Sequence, residues 1–450
     1  MSIIKYFFQK MTPQQGIVLY YLAAIIVAFL LLNLPYVVKP GVNIEPVDTL
    51  FVAVSGVSVT GLTPVVIGET FTTFGQAVIL VILNIGGIGV MAIGTLLWVI
   101  LGKHIGLRER QLIMLDSNST AMNGVVKLIL DIVRTILMIE LIGAILLSFY
   151  FYKDIGSVNE AIHQGIFASV SATTNGGLDI TGDSLAPYAN DYFVQTIIML
   201  LIMLGAIGFP VLIEVKTYMK NTIPNFRFSL FTKIASATYL FLFVLGTIVI
   251  YLFEFSNTFK GATWHKSLFY AMFQSSSTRS AGLSTIDLTQ FSEATNFFLG
   301  GLMFIGSSPS SVGGGIRTTT FTILVLYLVN FSNGRTTIKA FNREVHPIDI
   351  QRSFAVISLA LAITFVGVLA IVRFEDGKHD LLSIFFETMS AFGTCGLSMG
   401  ITDGLQLGSK IVIMILMFIG RVGLLCFVVM LGGKSTPDKF HYPKERIQIG

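Results

Sequence analysis

Four short segments of this 450-residue chain share the pattern F-x3-S-x5-G-L. They run from Phe51 through Ser55 to Gly61-Leu62, from Phe167 through Ser171 to Gly177-Leu178, from Met272 through Ser276 to Gly282-Leu283, and from Phe386 through Ser390 to Gly396-Leu397. Only Met272 departs from the shared Phe, and the glycines lie 116, 105 and 114 residues apart. Glycine adopts dihedrals closed to other residues and lets backbones approach closely. Four such segments gathered on one axis can turn successive carbonyls inward. A ring of inward carbonyls replaces the hydration shell of a permeant cation, the solution found in K+ filters.

A second element follows each pair. Gly86, Gly205, Gly306 and Gly420 come 25, 28, 24 and 24 residues after the first glycine, each preceded by Ile or Leu. Three continue as G-x-x-G, to Gly89, Gly208 and Gly423, and the third continues as G-x-x-P, to Pro309. Two linked matches in fourfold register mark an internal repeat. The repeats divide the chain at 1–102, 103–220, 221–334 and 335–450.

The apolar runs that must position these segments recur with them. Each repeat opens on a long run, at 17–38, 125–152, 230–255 and 353–373. A run of about a dozen residues ends at G-L, and a second long run follows, at 75–101, 192–219, 295–329 and 408–432. At 1.5 Å per residue the long runs cross a hydrocarbon core about 30 Å thick, while the short ones reach about half way. The short helices must enter and return as non-helical backbone, which survives at membrane depth only inside protein or against a watery cavity. The expected fold is an all-α polytopic membrane protein. Eight transmembrane helices and four half-length pore helices would surround a pseudo-fourfold axis.

Composition agrees with a bilayer. Charged residues make up 12% of the chain and hydrophobic ones 53%, with a mean hydropathy of +0.78. An ordinary soluble domain carries about 25% charged residues. A cytoplasmic enzyme, a disordered scaffold and a secreted disulfide domain are thereby excluded. The two cysteines, Cys395 and Cys426, form neither a disulfide framework nor a metal-ligand cluster. The first run is long for a signal peptide and lacks an A-x-A site, so it reads as a retained helix. If the repeats begin and end in the cytoplasm, that side holds 19 of the 29 Lys and Arg, including Lys5, Lys103, Arg227, Arg343, Lys434 and Arg446. The positive-inside rule then places both termini in the cytoplasm of a cell-membrane protein, with the short helices entering from outside.

Residues 306–317, in the third repeat, break the pattern. Pro309, three consecutive glycines (Gly313, Gly314 and Gly315) and four serines, Ser310 among them, make a continuous helix improbable. The break falls within the 295–329 run, on the inner side of the G-L level, where small polar residues suit a flap across a watery cavity. Arg421 stands among apolar residues, and burying it in a membrane costs at least about 2.5–3.5 kcal/mol, so it should face a cavity and hold carbonyls. Arg279 reads as a brace for the filter backbone, and Arg317 as the inner end of the loop.

These segments resemble the Trk/Ktr/HKT superfamily of K+ and Na+ transporters. The resemblance covers essentially the whole chain. It rests on Ser58-Val-Thr-Gly-Leu62, Thr174-Asn-Gly-Gly-Leu178, Thr278-Arg-Ser-Ala-Gly-Leu283, Gly393-Thr-Cys-Gly-Leu397 and, most specifically, Gly306-Ser-Ser-Pro-Ser-Ser-Val-Gly-Gly-Gly-Ile-Arg-Thr318. It implies a K+ filter formed by the backbone of Val59, Thr60 and Gly61, of Asn175, Gly176 and Gly177, of Ser280, Ala281 and Gly282, and of Thr394, Cys395 and Gly396. It also implies a gate built from Gly306, Pro309, Ser310, Gly313 to Gly315 and Arg421. Glycine at all four loops, Gly61 included, favours K+ over Na+ in this family. The length and short tail are most similar to the Ktr branch. That branch implies a homodimer on a cytosolic nucleotide-binding RCK ring, and Na+ stimulation.

Other motifs are absent. Val428 stands where a Walker A loop ending at Lys434-Ser435 needs glycine, and H-E-x-x-H and G-x-S-x-G do not occur. No cofactor and no nucleic-acid partner are expected, since the basic loops at 103–110 and 335–343 read as topology signals or docking surface. The sequence therefore points to gated K+ uptake through a four-loop filter. A K+/H+ or K+/Na+ symporter and a Na+-permeable member of the same superfamily stay open beside it. A polytopic enzyme would need clustered intramembrane His or acids, and Glu140 and Glu387 stand in different repeats.

Overall fold

The computed structural model describes residues 12–101, 105–116, 124–220, 226–335, 337–424, 426–427, 440, 443 and 445. Lys5, Lys103, Lys434 and Arg446, with both chain ends, lie outside the described residues. The order long helix, short helix, second helix occurs four times. The first unit comprises α1 (Pro13–Leu32), α2 (Pro46–Ser58), a single turn α3 (Ile67–Thr70), and the pair α4 (Thr73–Ile88) and α5 (Val90–Ile100). Helix α6 (Leu107–Asp116) leads to α7 (Val125–Ile155), α8 (Val158–Thr173), α9 (Tyr192–Ala206) and α10 (Phe209–Met219). The third unit is α11 (Leu230–Glu254), α12 (Trp264–Ser277), α13 (Glu293–Phe304) and α14 (Thr318–Ser332). A small antiparallel hairpin, β1 (Lys339–Ala340) and β2 (Arg343–Glu344), precedes α15 (Pro347–Glu375), α16 (Leu381–Gly393) and α17 (Leu407–Val422).

The four opening helices, of 20, 31, 25 and 29 residues, are long and apolar enough to cross a membrane. Their outer faces leave large apolar side chains uncovered, such as Leu141, Ile145 and Phe149 on α7 and Phe365, Val366 and Leu369 on α15. That surface needs lipid against it.

The second helices differ from the expectation of one interrupted run among four. The first unit bends by 103° between α4 and α5, and the second by 104° between α9 and α10. The cause is the second glycine of each G-x-x-G. Gly89 and Gly208 sit at φ 107°, ψ 137° and φ 106°, ψ 131°, and Gly423, just after α17, repeats this at φ 93°, ψ 135°. That conformation belongs to glycine and ends a helix. In the third unit the break widens into the 305–317 loop, as the Pro309 and triple-glycine composition leads one to expect.

The units close into a ring. Each second helix packs on the short helix of the next unit: α4 on α8, α9 on α12, α13 on α16, and α17 back on α2. At the last seam Lys410 Nζ meets Asp48 Oδ1 at 2.6 Å, both side chains largely shielded. Two fully buried acids tie units internally. Glu254 accepts from the Ser292 amide at 2.9 Å, and Glu375 from the Gln406 amide at 2.9 Å, each joining the end of a long helix to the start of the second helix. Sequence reasoning placed only Glu140 and Glu387 inside the membrane, because these two acids lie at the very ends of apolar runs.

Candidate functional site

The four short helices end where the G-L segments begin, so their C-terminal dipoles converge on one place. Each contributes partial negative charge, and together they favour a cation there. The chain leaves each helix through a left-handed residue two positions before the glycine: Val59 (φ 55°), Asn175 (54°), Ser280 (77°) and Thr394 (47°). The glycines follow at φ 96°, 63°, 70° and 95°. Alternating left-handed and ordinary dihedrals turn successive carbonyls toward one side. A β-branched residue in this region is strained, at a cost of order 1–3 kcal/mol, and such strain persists only where the surroundings over-determine it.

The ring closes tightly. A Cβ added at Gly61 would stand 2.8 Å from the Gly176 carbonyl oxygen, one at Gly177 2.9 Å from that of Ala281, one at Gly282 2.6 Å from that of Cys395, and one at Gly396 2.2 Å from that of Thr60. Every glycine thus faces the carbonyl preceding the next glycine, in chain order and back to the start. Val59, Thr60, Asn175, Ser280, Ala281, Thr394 and Cys395 are all fully buried. The repeated serines explain part of the shape. Gly61 and Gly396 amides donate to Ser55 and Ser390 Oγ at 3.0 Å, and Ser171 Oγ donates to the Leu178 carbonyl at 2.6 Å.

The first glycines of the G-x-x-G elements are contacts with this ring's supports. A Cβ at Gly86, Gly205 or Gly420 would lie 2.4, 2.1 or 2.1 Å from the carbonyl oxygen of Val57, Thr173 or Phe392, near the ends of α2, α8 and α16. Only glycine lets the second helix pass so close. In the third unit Gly306 instead meets the Gly314 carbonyl, at 2.0 Å for an added Cβ.

The 305–317 loop lies directly against the ring. A Cβ on Gly313 would come within 2.5 Å of Ser280 Oγ, and one on Gly314 within 2.6 Å of Thr394 Oγ1. Backbone bonds hold the loop to its neighbours' breaks: Phe209 N to Ser310 O at 2.6 Å, Ser308 N to Ala206 O at 3.1 Å, and Gly315 N to Gly420 O at 3.2 Å. Arg421, 7% exposed, donates to the Val312 and Gly313 carbonyls of the loop and to the Gly86 and Gly87 carbonyls of the first unit. Four carbonyls offset much of the cost of burying that charge. Arg317 reaches back to the Gly313 carbonyl, fastening the loop to itself. On the face away from the ring, Ser310, Gly315, Arg317 and Arg421 line a cavity of about 160 Å³ with Gly89 and Phe209. No residue of the glycine ring lines this cavity, whereas the loop borders both.

Arg279 departs from its sequence reading. It is completely buried, and its guanidinium donates to the Leu302 and Ile305 carbonyls at 3.1 and 2.8 Å. These carbonyls belong to the end of α13, where the loop begins, and not to the glycine segments. A side chain spanning 23 to 26 residues of sequence leaves no local spacing signal. Among the described residues no group of three or more His, Cys, Asp or Glu could hold a metal.

A family model described as TrkH, cation transport protein, matches residues 5–439. "Ktr system potassium uptake protein D" of Bacillus subtilis (strain 168) is 50% identical over 442 residues, which cover 98% of this chain and 98% of that protein. "Ktr system potassium uptake protein B" of the same organism is 35% identical over 447 residues, 98% of this chain and 97% of that one. The crystal structure of the potassium transporter TrkH from Vibrio parahaemolyticus shares the fold, with a TM-score of 0.71 over 94% of this chain and 86% of that one at 19% identity.

Proposed function

The chain belongs to the TrkH cation transport protein family, and from that premise we propose that it is the ion-translocating membrane subunit of a Ktr-type K+ uptake system. The family is one of transporters, not of enzymes. The observation that carries the K+ reading is the closed ring, in which each glycine abuts the carbonyl before the next glycine. Only an all-glycine ring accommodates that approach, and it sets carbonyl oxygens around one axis where a dehydrated cation can exchange its water for them. K+ is the substrate here, held by the backbone of residues 59–61, 175–177, 280–282 and 394–396. Entry is driven by the membrane potential, worth about 2.3 kcal/mol per charge per 100 mV.

Residues 306–317 with Arg421 act as the gate in this reading, supported by their position between the ring and the inner cavity. The four units correspond to the divisions at 1–102, 103–220, 221–334 and 335–450. Both termini face the cytoplasm, where a nucleotide-binding RCK ring would meet a homodimer of this chain and relieve the gate. Na+ stimulation belongs to the same reading. The deciding experiment reconstitutes the chain in liposomes and compares K+ with Na+ flux, with and without a pH gradient. K+-selective flux independent of the gradient supports the proposal. Flux coupled stoichiometrically to protons or Na+ replaces it with symport, and Na+ flux equal to K+ flux removes the filter assignment.

A further inference from the structure

We propose that Arg279 is a positioning residue that couples the third quarter of the filter to the hinge of the gate loop, so that selectivity and gating share one side chain. Its backbone belongs to the Thr278–Gly282 stretch, immediately before left-handed Ser280. Its guanidinium belongs elsewhere, on the Leu302 and Ile305 carbonyls.

Those carbonyls exist as free acceptors because α13 stops at Phe304. The last four carbonyls of a helix have no partner within it and need one when buried. Ile316 N, returning at the far end of the loop, bonds the Phe304 carbonyl at 3.3 Å, and Arg279 takes Leu302 and Ile305. The hinge is thus held by the loop's own return and by a residue of the filter. No ion pair to Arg279 occurs among the described residues, so the guanidinium is committed to these carbonyls and not to an acid.

The other end of the lever is as tightly placed. Ser280, next to Arg279, donates its hydroxyl to the Gly393 carbonyl at 2.9 Å, at the end of the fourth pore helix. Its Oγ also lies against Gly313 of the loop. A shift of the hinge pulls on Arg279, and Arg279 cannot move without turning Thr278–Ser280. Residues that touch both elements only through the loop, such as Arg421, lack this property. They hold the loop but carry no filter backbone.

This inference rests on the K+ filter reading, so the experiment first establishes K+-selective flux by the parent chain in liposomes. Absence of that flux overturns the earlier reading and, with it, the premise here. With the parent selective, three variants are compared at matched insertion: Arg279→Lys, Arg279→Gln and Gly306→Ala. Lys keeps the charge but cannot span both carbonyls. Gly306→Ala leaves every filter residue in place and presses the hinge against the Gly314 carbonyl.

Coupling predicts that each variant changes gating and selectivity together. Arg279→Gln should lower the K+/Na+ flux ratio about tenfold, the equivalent of one charge-assisted hydrogen bond. Arg279→Lys should show a smaller loss, and Gly306→Ala should lower the same ratio although it lies outside the filter. The double variant Arg279→Lys with Gly306→Ala should fall short of the product of the single effects, as residues sharing one interaction do. A Gly306→Ala chain with altered flux and the parent's selectivity overturns the coupling, even if the Arg279 variants fail to insert. Multiplicative effects in the double variant overturn it as well.

Discussion

The glycine ring and the level of the helix breaks below it are built on opposite plans. At the ring, four segments repeat the same dihedral alternation and the same neighbour contact. At the breaks, three glycines share one conformation, whereas the third unit spends about a dozen residues where the others spend one. Coordinating a spherical cation rewards equivalence, because every quarter presents the same group at the same distance. Blocking a path needs only one arm, and four identical arms would collide on the axis. In the proposed reading, the chain keeps symmetry where a cation would bind and gives it up where the path would be blocked.

The sharpest way to break this comparison is to damage the ring one quarter at a time. Gly396→Ala places a Cβ 2.2 Å from the Thr60 carbonyl oxygen and should abolish K+-selective uptake. Gly282→Ala follows at 2.6 Å, and Gly61→Ser and Gly177→Ala, at 2.8 and 2.9 Å, should lower the K+/Na+ uptake ratio by about tenfold, for strain of about 1–2 kcal/mol. The measurement is uptake in cells lacking other K+ systems. An equal effect from all four, or none from Gly396→Ala, would dissolve the link between ring closure and selectivity.

The converse operation spares the ring. Deleting part of Ser310–Gly315 should raise K+ flux in liposomes by about tenfold while the K+/Na+ ratio falls less than in the Arg279 variants, since α13 and its bonds to Arg279 stay in place. Activation by a cytosolic partner should then have less left to do. Flux that disappears would make the loop a structural strut. Arg421→Ala loosens the same loop from the first unit, and should raise flux in the same direction but by less than the deletion, because the loop itself stays in place.

The finest test separates two of the three like breaks. Among the described residues no atom lies within 4 Å of an added Cβ at Gly423, whereas Gly208 has the Pro309 carbonyl at 3.0 Å. Both substitutions carry the same conformational strain, about 1–3 kcal/mol, readable as reduced thermal stability. Of these two, Gly208→Ala should also change gating, because an added Cβ there meets the Pro309 carbonyl of the loop.

Much of this was legible in the chain, and for a definable reason. Glycines that face carbonyls at van der Waals limit cannot be exchanged, so their spacing survives as a pattern that a reader can count. The ring, the short helices and the 306–317 interruption all announce themselves in that way. Arg421 showed itself because a charge in an apolar run has few uses. What stayed hidden depends on distance in space. G-x-x-G read only as the second half of a repeat; the close approach at Gly86 and Gly205 and the bends at Gly89 and Gly208 show only in the folded chain. Arg279 carried its charge in plain view while its destination lay more than twenty residues away. Lys410 gave no signal of its own, with nothing in its neighbourhood to suggest Asp48.

That last pair sets an order of events for the making of the molecule. Asp48 and Lys410 stand 362 residues apart, at the one seam where the end of the chain meets its beginning. Chains are synthesised from the N-terminus, with early parts free to form before late ones exist. The first pore helix must therefore wait in the bilayer, one flank open and its carboxylate unmatched, until nearly the whole polypeptide has been inserted. A nascent chain halted before α17 would lack the helix that covers this flank, with the seam at Asp48 still open.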